Sequence, residues 1–433
     1  MLKLASLAAM IAFTGQSALA MNQLDYERPH VQGELLITFD EDLSESQKEQ
    51  LIAESGGSVI HEYKYSNSVL VKLPETNGFV SSANFLAEDS AVENISLNHI
   101  FSINVTPNDP NESKQYQNEL IGADKAWGIT TGSKDIVVAV IDTGVDYNHP
   151  DLKDNYWSNP GETGKDSRGN DKRTNGIDDD NNGYIDDHRG WDFANNDNDP
   201  MDDNAHGTHC AGSIGAVGDN GIGIAGLNWN VSIVGLKFIG RGGTGTLGDA
   251  AKAVEYAVTM GFDVTSNSWG GAAEKDTATA KDPLFAAIKA ANKKGQLFIA
   301  AAGNNGSNND NKKLYPANYD VDNIISVAAS DSRDRLASFS NYGPKTIDLM
   351  APGSGIYSTS TRSLFGQIYR SMSGTSMAAP IVAGAVALVK SANPDLSAKA
   401  LKQRIISTVD PVSSVRSKLK SGGRLNVYKA LNQ

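Results

Sequence analysis

Apolar and polar positions follow two different patterns along the chain, and these divide it into two parts. Between about residues 33 and 104, short amphipathic segments predict the order strand, helix, strand, strand, helix, strand. Ser44 is expected to cap the first helix and Gly56 to end it. A βαββαβ order predicts a small ferredoxin-like α+β domain. The polar stretch TPNDPNESKQ that follows is typical of a linker.

From about Asp124 the apolar runs become longer and alternate with helical patterns. The runs predicted as strands are DIVVAVID, VSIVGLKFIG, DVTSNSW, GQLFIAAAG and NIISVAAS. Because they are almost continuously apolar, we expect them to be buried on both faces. Strands that alternate with helices predict an α/β fold with a doubly wound parallel sheet and flanking helices. Ligands of such a sheet bind beyond the carboxyl ends of its strands.

The first twenty residues, MLKLASLAAMIAFTGQSALA, predict a secretory signal peptide that is cleaved after Ala20. The apolar run from Leu4 to Phe13 is shorter than the roughly 20 residues that a membrane span needs. No later stretch is expected to span a bilayer either. The protein is therefore expected to be secreted, either to the periplasm or outside the cell.

The charge and the cysteine content limit which partners the protein can bind and how the chain can be cross-linked. The chain has 51 acidic and 38 basic side chains, a net charge of −13. This balance argues against nucleic acid or an anionic membrane as the main partner. Cys210 is the single cysteine, so no internal disulfide can form and an exported chain needs another cross-link.

Four polar residues stand where a strand ends or a helix begins, and each has a purely structural alternative. Ser376 precedes a helix predicted to begin near Ala378, so it is either a cap or a nucleophile beside free N–H groups. His206 lies in HGTH, which lacks the glutamate of the H-E-x-x-H zinc motif, and is either structural or a base. Asp142 and Asn304 follow apolar strands, as turn residues or as functional groups. The residues taken singly leave these alternatives open.

Taken together, five segments point to one family. DTGVD, HGTHCAG, SWGG, AAGNNG and GTSMAAP occur in this order. In these motifs the chain resembles the subtilisin-like serine proteases (subtilases), and the resemblance extends from about Asp124 to the C-terminus. In this family the catalytic triad occurs along the chain in the order Asp, His, Ser. The resemblance implies that Ser376 is the nucleophile, His206 the base and acid, and Asp142 the residue that orients the imidazole. Asn304 and the Ser376 N–H would form the oxyanion hole.

The same resemblance implies how substrate binds. Ser268, Trp269 and Gly270 would run as an edge strand that pairs with the substrate backbone. The glycine-rich segment from Gly240 to Gly248 would form the opposite edge. Gly270 and Ala302-Gly303 would floor a roomy, mainly apolar first specificity pocket, which implies broad specificity for protein and peptide substrates.

Cys210 follows His209 as in the proteinase K branch of the family, where a free thiol lies beneath the catalytic histidine. The alternative is a small buried apolar residue without a role in the reaction.

The insert NGIDDDNNGYIDD predicts a calcium site. Asp178, Asp180 and Asn182, with Gly183 at the sixth place, match the first half of a calcium loop. The twelfth place holds Arg189 rather than glutamate, so this is not an EF-hand, and we expect Asp187 or Asp186 and the carbonyl of Tyr184 to complete the shell. Similar inserts in some subtilases bind Ca²⁺. The alternative is a solvated acidic loop. A second calcium site is expected near Asp151 and the loop Asp219–Asn220.

These inferences combine into a secreted serine endopeptidase that forms an acyl-enzyme intermediate and is made as a self-processed zymogen. The expected parts are a signal peptide (1–20), an inhibitory propeptide (21–104) and a peptidase domain (105–433), with self-cleavage near residues 104 and 105. The propeptide would act as intramolecular chaperone and inhibitor, and the enzyme would be a monomer. The rivals are an inactive peptide-binding pseudoprotease and a processing protease of narrow range.

Overall fold

The computed structural model describes Leu24 and residues 30–74, 78–100, 105–271 and 282–433. Chain contacts divide the protein into two units, Met1–Ser102 and Ile103–Gln433, and each is described by itself. The predicted signal peptide and the predicted self-cleavage point at residue 104 lie outside the described residues.

The first unit has the predicted βαββαβ order. Its elements are β1 (His30–Phe39), α1 (Glu45–Glu54), β2 (Ser58–Tyr63), β3 (Ser68–Lys72), α2 (Phe79–Glu88) and β4 (Val92–His99). The strands form an antiparallel sheet in the order β2-β3-β1-β4. The backbone N–H of Ser44 donates to the Gln47 side chain at 3.1 Å, and Gly56 takes a φ of +77° after α1. The helix therefore begins and ends where the sequence predicts.

The second unit alternates strands and helices. The strands are β5 (Gly132–Asp142), β6 (Gly190–Asp192), β7 (Asn230–Lys237), β8 (Val264–Asn267), β9 (Leu297–Ala301), β10 (Ile324–Ser330), β11 (Leu349–Pro352), β12 (Ile356–Thr359), β13 (Tyr369–Met372), β14 (Asp410–Pro411) and β15 (Gly423–Arg424). The helices are α3 (Tyr116–Leu120), α4 (Ala123–Ala126), α5 (His206–Gly215), α6 (Leu247–Thr259), α7 (Pro283–Lys293), α8 (Thr375–Ala392), α9 (Ala398–Ser407) and α10 (Val427–Leu431).

Nine strands form one sheet in the order β14-β15-β11-β10-β9-β8-β5-β7-β6. All its pairs are parallel except β14–β15 at one edge. Helices α5 and α8 contribute to the apolar core on one face and α6 and α7 to the core on the other. The doubly wound parallel sheet is thus confirmed, with a short antiparallel addition. Its carboxyl edge carries Asp142 at the end of β5 and brings the ends of β8 and β9 alongside.

Helix α8 differs from its prediction in two respects. It begins at Thr375 rather than near Ala378, so Ser376 lies inside its first turn. By length and composition it is also able to cross a membrane, contrary to the expectation for residues after 20, but 78% of it is buried inside the protein. The part of the helix from Met377 to Val389 is buried throughout, so its high hydropathy reflects a helix that is packed on all sides there.

Candidate active site

Asp142 and His206 come from adjacent elements and share a short hydrogen bond. Nδ1 of His206, the first residue of α5, lies 2.7 Å from Oδ1 of Asp142. The same oxygen accepts from the Thr143 N–H at 2.7 Å, while Oδ2 is buried without a hydrogen-bond partner among the described residues. A Cβ on Gly207 would lie 2.1 Å from the carbonyl oxygen of Gly144. Glycine in HGTH is therefore what lets α5 approach the end of β5 this closely.

Burial and charge act in opposite directions on the pKa of His206. Burial lowers it, but the charge of Asp142 and its hydrogen bond raise it, with a further contribution from Asp202 against an opposing one from Arg370. The net result is a pKa above the ordinary histidine value. The site thus favours a positive imidazolium, the form that a general base reaches after it takes a proton.

Ser376 is held from beneath and opens toward the same cavity as His206. Its hydroxyl donates to the carbonyl oxygen of Ser268 at 3.0 Å, and the Ser268 hydroxyl donates to the carbonyl oxygen of Ser376 at 2.8 Å. The Cys210 thiol donates to that carbonyl oxygen as well, at 3.4 Å. Ser376 and His206 both line a cavity of about 420 Å³. In this state the serine hydroxyl bonds to Ser268 and not to the imidazole.

Asn304 is oriented by the residue before the serine. Its side-chain oxygen accepts from the N–H of Thr375 at 2.8 Å and from the Thr375 hydroxyl at 3.0 Å. Because both bonds engage the oxygen, the NH₂ group is left to donate elsewhere. Asn304 lines the cavity with Ser376, whose N–H belongs to the first turn of α8 and has no carbonyl partner within the helix. Sequence reasoning missed the orienting role of Thr375, although its hydroxyl also accepts from the Gly303 N–H at 3.0 Å.

The segment predicted to bind substrate leaves the sheet at the end of β8. Ser268, Trp269 and Gly270 form no strand of their own in the described structure, and pairing resumes at Gly271, opposite Tyr315. All three line the cavity, as does Gly303. A Cβ on Gly270 would lie 2.6 Å from the Leu314 side chain. This stretch of backbone is therefore outside the named strands of the described residues, and a small residue is required at Gly270.

A second cavity of about 550 Å³ lies between this segment and the loop that begins at Ile239. Ile239 pairs with Gly245 across the loop. The lining is mainly apolar and includes Phe238, Leu247, Trp269 and Tyr315. Among the described residues, neither cavity has an Asp or Glu in its lining.

The model of the subtilase family matches residues 133–428. The chain belongs to the subtilase family. The N-terminal prodomain of fervidolysin matches residues 19–98, so this subtilase carries a prodomain before its catalytic unit.

The relatives of this subtilase are serine proteinases. It is 37% identical to the thermophilic serine proteinase of Bacillus sp. (strain AK1) over 93% of this chain and 88% of that protein. It is 38% identical to thermitase of Thermoactinomyces vulgaris over 75% of this chain and 99% of thermitase. A solved protease structure from Pseudoalteromonas arctica PAMC 21717 is similar with a TM-score of 0.61 at 27% identity, and covers 76% of this chain and 99% of its own. This subtilase is therefore a serine endopeptidase.

The acidic insert of this subtilase brings together a different set of carboxylates from the one predicted. One oxygen each from Glu162, Asp180 and Asp187 lies within 4.8 Å of the others. Asp187 is fully buried and accepts from Asn182 at 2.9 Å, from Asn159 at 2.8 Å and from the Tyr256 hydroxyl. Sequence reasoning missed Glu162, because it lies outside the loop motif and nothing in its local spacing marks it.

Glu162 is the least satisfied member of this acidic cluster. Its Oε1 accepts from the N–H of Asp179 at 2.6 Å, while its buried Oε2 has no hydrogen-bond partner among the described residues. Burial raises the pKa of Glu162 to about 7, and burial likewise raises the pKa of Asp187. Three converging carboxylates with an unpaired oxygen fit a hard cation that prefers oxygen ligands.

The other predicted calcium ligands lie beside the cluster. Asp178 accepts from the backbone N–H groups of Asn182 and Gly183, at 3.1 and 2.8 Å, and so closes its own turn. The Tyr184 ring packs edge-on against Trp191 and Tyr256, each 5.0 Å away between ring centres. The role of the Tyr184 carbonyl as a metal ligand stays a prediction.

The second predicted calcium region gathers Asp151, the loop at Asp219 and a residue that sequence reasoning missed. Asp109 accepts from the Asp219 N–H at 2.7 Å, and Asp151 accepts from the side-chain NH₂ of Asn220 at 3.0 Å. Burial raises the pKa of Asp151 to about 6.

Cys210 lies on α5 and is completely buried. Burial raises the pKa of its thiol well above the ordinary cysteine value, and the charge of Asp142 adds to this. The thiol therefore stays protonated and donates to Ser376, rather than acting as a thiolate nucleophile.

Proposed function

We propose that this subtilase cleaves peptide bonds through Ser376, His206 and Asp142. When a substrate carbonyl enters the cavity, the serine hydroxyl leaves its bond to Ser268 and gives its proton to Nε2 of His206 while Oγ bonds to the carbonyl carbon. Asp142 holds Nδ1, fixes the tautomer and stabilises the imidazolium. His206 then gives the proton to the leaving amine as the C–N bond breaks. Water, activated by the same histidine, hydrolyses the acyl-enzyme.

The oxyanion of each tetrahedral intermediate would be held by Asn304 and the Ser376 N–H. The bonds from Thr375 to the Asn304 oxygen support this assignment, because they turn the NH₂ group into the only part of that side chain that can bind a ligand. A donor that is fixed before the reaction needs no reorganisation when charge develops.

The substrates we infer are extended protein and peptide segments of many sequences. Ser268, Trp269 and Gly270 would pair with the substrate backbone, which gives affinity without dependence on side chains. Gly270 and Gly303 leave space for a large apolar side chain. The described residues that line the two cavities include no Asp or Glu, which argues against a processing protease that selects basic residues.

The 2.7 Å bond between Asp142 and His206, at the cavity that Ser376 lines, is the observation that carries this proposal. The test is Ser376→Ala, measured on an unstructured protein and a peptide anilide. Turnover should fall by about 10⁶-fold, the loss seen when subtilisin lacks its nucleophile. The variant should also accumulate as an uncut precursor. Normal maturation and turnover would overturn the assignment.

We further propose that residues 1–20 direct secretion and that residues 21–104 act in cis as chaperone and inhibitor, before self-cleavage frees the catalytic unit of residues 105–433. The apolar leader with Ala18-Leu19-Ala20 supports the first part, and the prodomain match supports the second.

Calcium is the cation we propose for the acidic insert. Glu162, Asp180 and Asp187 would provide carboxylate oxygens, with Asn182, Asp178 and the Tyr184 carbonyl as neighbouring oxygen donors. The bound ion would neutralise carboxylates that otherwise repel one another. It would also join segments of a chain with no disulfide.

A further inference from the structure

Lys237 is a charged residue deep in the catalytic unit that the reaction described above does not use. It ends β7, where its register partners are Asp142 on β5 and Asp192 on β6. Only 1% of its surface is exposed. A buried ammonium is tolerated only where its protons are bonded and its charge is compensated. The partners of this ammonium therefore indicate what it does.

The ammonium makes three hydrogen bonds, one for each proton. Nζ donates to the carbonyl oxygen of Thr143 at 2.8 Å, to Oδ1 of Asp203 at 2.8 Å and to the carbonyl oxygen of Ile239 at 3.1 Å. Its donor capacity is thus fully used. Asp203 supplies the compensating charge, and its side chain remains 44% exposed.

Each of these acceptors belongs to a different part of the active site. Thr143 follows Asp142 directly, and Asp203 lies in the turn just before His206. Ile239 lines the substrate cavity and begins the loop closed by its pairing with Gly245. One ammonium therefore bonds to the segment of the triad acid, to the segment of the triad base and to the substrate loop.

Thr143 extends this arrangement to helix α5. Its hydroxyl accepts from the Gly207 N–H at 2.9 Å and donates to Oδ1 of Asp202 at 2.8 Å. A shift of Thr143 would move Asp142 and the N-terminus of α5 together. The distance between Asp142 and His206 therefore depends on what holds Thr143.

We propose that Lys237 is a positioning residue for peptide hydrolysis: its ammonium keeps the Asp142 segment, the turn before His206 and the first residue of the substrate loop in register. This inference rests on the triad proposed above. A neutral side chain would leave two buried carbonyl oxygens without their donor and release Asp203. Small displacements of a triad are costly to the rate, because a misplacement of about 1 Å can lower it by about 10²-fold.

The test compares Lys237→Met with Lys402→Met, each assayed on a single-residue ester and on a tetrapeptide anilide. Lys402 also donates from a half-buried position to two carbonyl oxygens, those of Asp322 and Ile324, but at the opposite end of the sheet. For Lys237→Met we expect kcat to fall by about 10- to 100-fold on both substrates with KM changed by less than about threefold. Lys402→Met should lower the melting temperature and leave kcat unchanged.

Three results would overturn the inference: an unchanged kcat in Lys237→Met, a loss confined to KM, or an equal loss of kcat in Lys402→Met. If Lys237→Met does not mature, the Asp203→Asn variant tests the inference instead. Its partly exposed side chain allows folding, and its kcat should fall by about 3- to 10-fold on both substrates; no fall would overturn the inference. If the Lys237 variants contradict the inference while Ser376→Ala is inactive, only the role of Lys237 is wrong and the triad assignment stands. If Ser376→Ala is active, the triad assignment itself is wrong.

Discussion

The active site and the acidic cluster each bury a carboxylate oxygen that has no hydrogen-bond partner among the described residues, Asp142 Oδ2 in one and Glu162 Oε2 in the other. Beside Asp142 lies an imidazole that becomes positive when it takes a proton. Beside Glu162 lie two further carboxylates. The first region therefore contains its own compensating charge, whereas for the second we propose a cation from solution.

The two regions also differ in how the backbone supports them. Asp142, His206 and Ser376 lie at the end of a strand and in the first turns of two helices. Glu162, Asp180 and Asp187 lie outside the named strands and helices, in a long connection between β5 and β6. Regular elements fix the first set through the core, so the chain alone positions it. The second set is held by side-chain bonds, which an ion would complete.

After Ser376→Ala, the largest expected effect on activity comes from Asp142→Asn, which tests whether the charge beside His206 is needed. The amide keeps the shape but presents neither the charge nor the required tautomer to His206, so kcat should fall by about 10⁴-fold. Steady-state kinetics on a peptide anilide would measure this. Asp146→Asn, a nearby exchange outside the triad, should stay near wild type. A small loss in Asp142→Asn would mean that the charge beside His206 is not needed.

Asn304→Ala tests whether the oxyanion site is also fixed by the chain. We expect kcat to fall by about 10²- to 10³-fold with little change in KM, because the donor acts on charge that appears only in the transition state. Asn311→Ala serves as the control. A loss mainly in KM would show that Asn304 binds substrate in its ground state instead.

Removal of calcium should affect the acidic cluster and not the triad geometry. At calcium thousandfold above its Kd, the ion adds about 4 kcal/mol to the free energy of unfolding. Chelation should therefore lower the melting temperature of Ser376→Ala, a background without self-digestion. Glu162→Gln should lose most of this response to calcium, and Glu119→Gln should keep it. An equal melting temperature with and without calcium would contradict the proposal.

The smallest expected effect is on the pH dependence of the activity, which tests the charge beside His206. The pKa of His206 is raised, so the acid limb of kcat/KM should have its midpoint above the ordinary value of about 6.5. Asp202→Asn removes a charge that raises this pKa, and the limb should move to lower pH. In the Ser376→Ala background, protonated His206 adds stability that is fully present below about pH 6.5 and is lost as pH rises through the folded pKa. A limb that Asp202→Asn does not move would exclude a role for that charge.

Much of this could be predicted from the sequence, for a physical reason. Asp142, His206 and Ser376 are each flanked in sequence by glycines and other small residues, which allow the segments of the site to approach one another closely. Each of these motifs is a short local segment and can therefore be found in the sequence. The βαββαβ order of the first unit and the parallel sheet of the second follow in the same way from periodicity.

What could not be predicted depends on contacts between distant segments. Glu162 is a single acid in an irregular stretch, and only the folded insert brings it to Asp187. Lys237 ends an apolar strand, and its three acceptors come from three separate connections. The helix at His206 was not predicted, because its glycines and small side chains weaken the helical pattern that tertiary packing enforces.

The proposed nucleophile, Ser376, lies in the first turn of α8, whose buried side chains belong to the largest apolar cluster among the described residues. A serine in that position cannot loosen by itself, because its helix is enclosed by the sheet and by α5. Heat should therefore inactivate this enzyme and melt its core in one event, with the loss of activity and the loss of near-UV circular dichroism following one curve. In evolution, changes of substrate specificity are then expected in the loops around the cavity, where substitutions leave the packing of α8 unchanged.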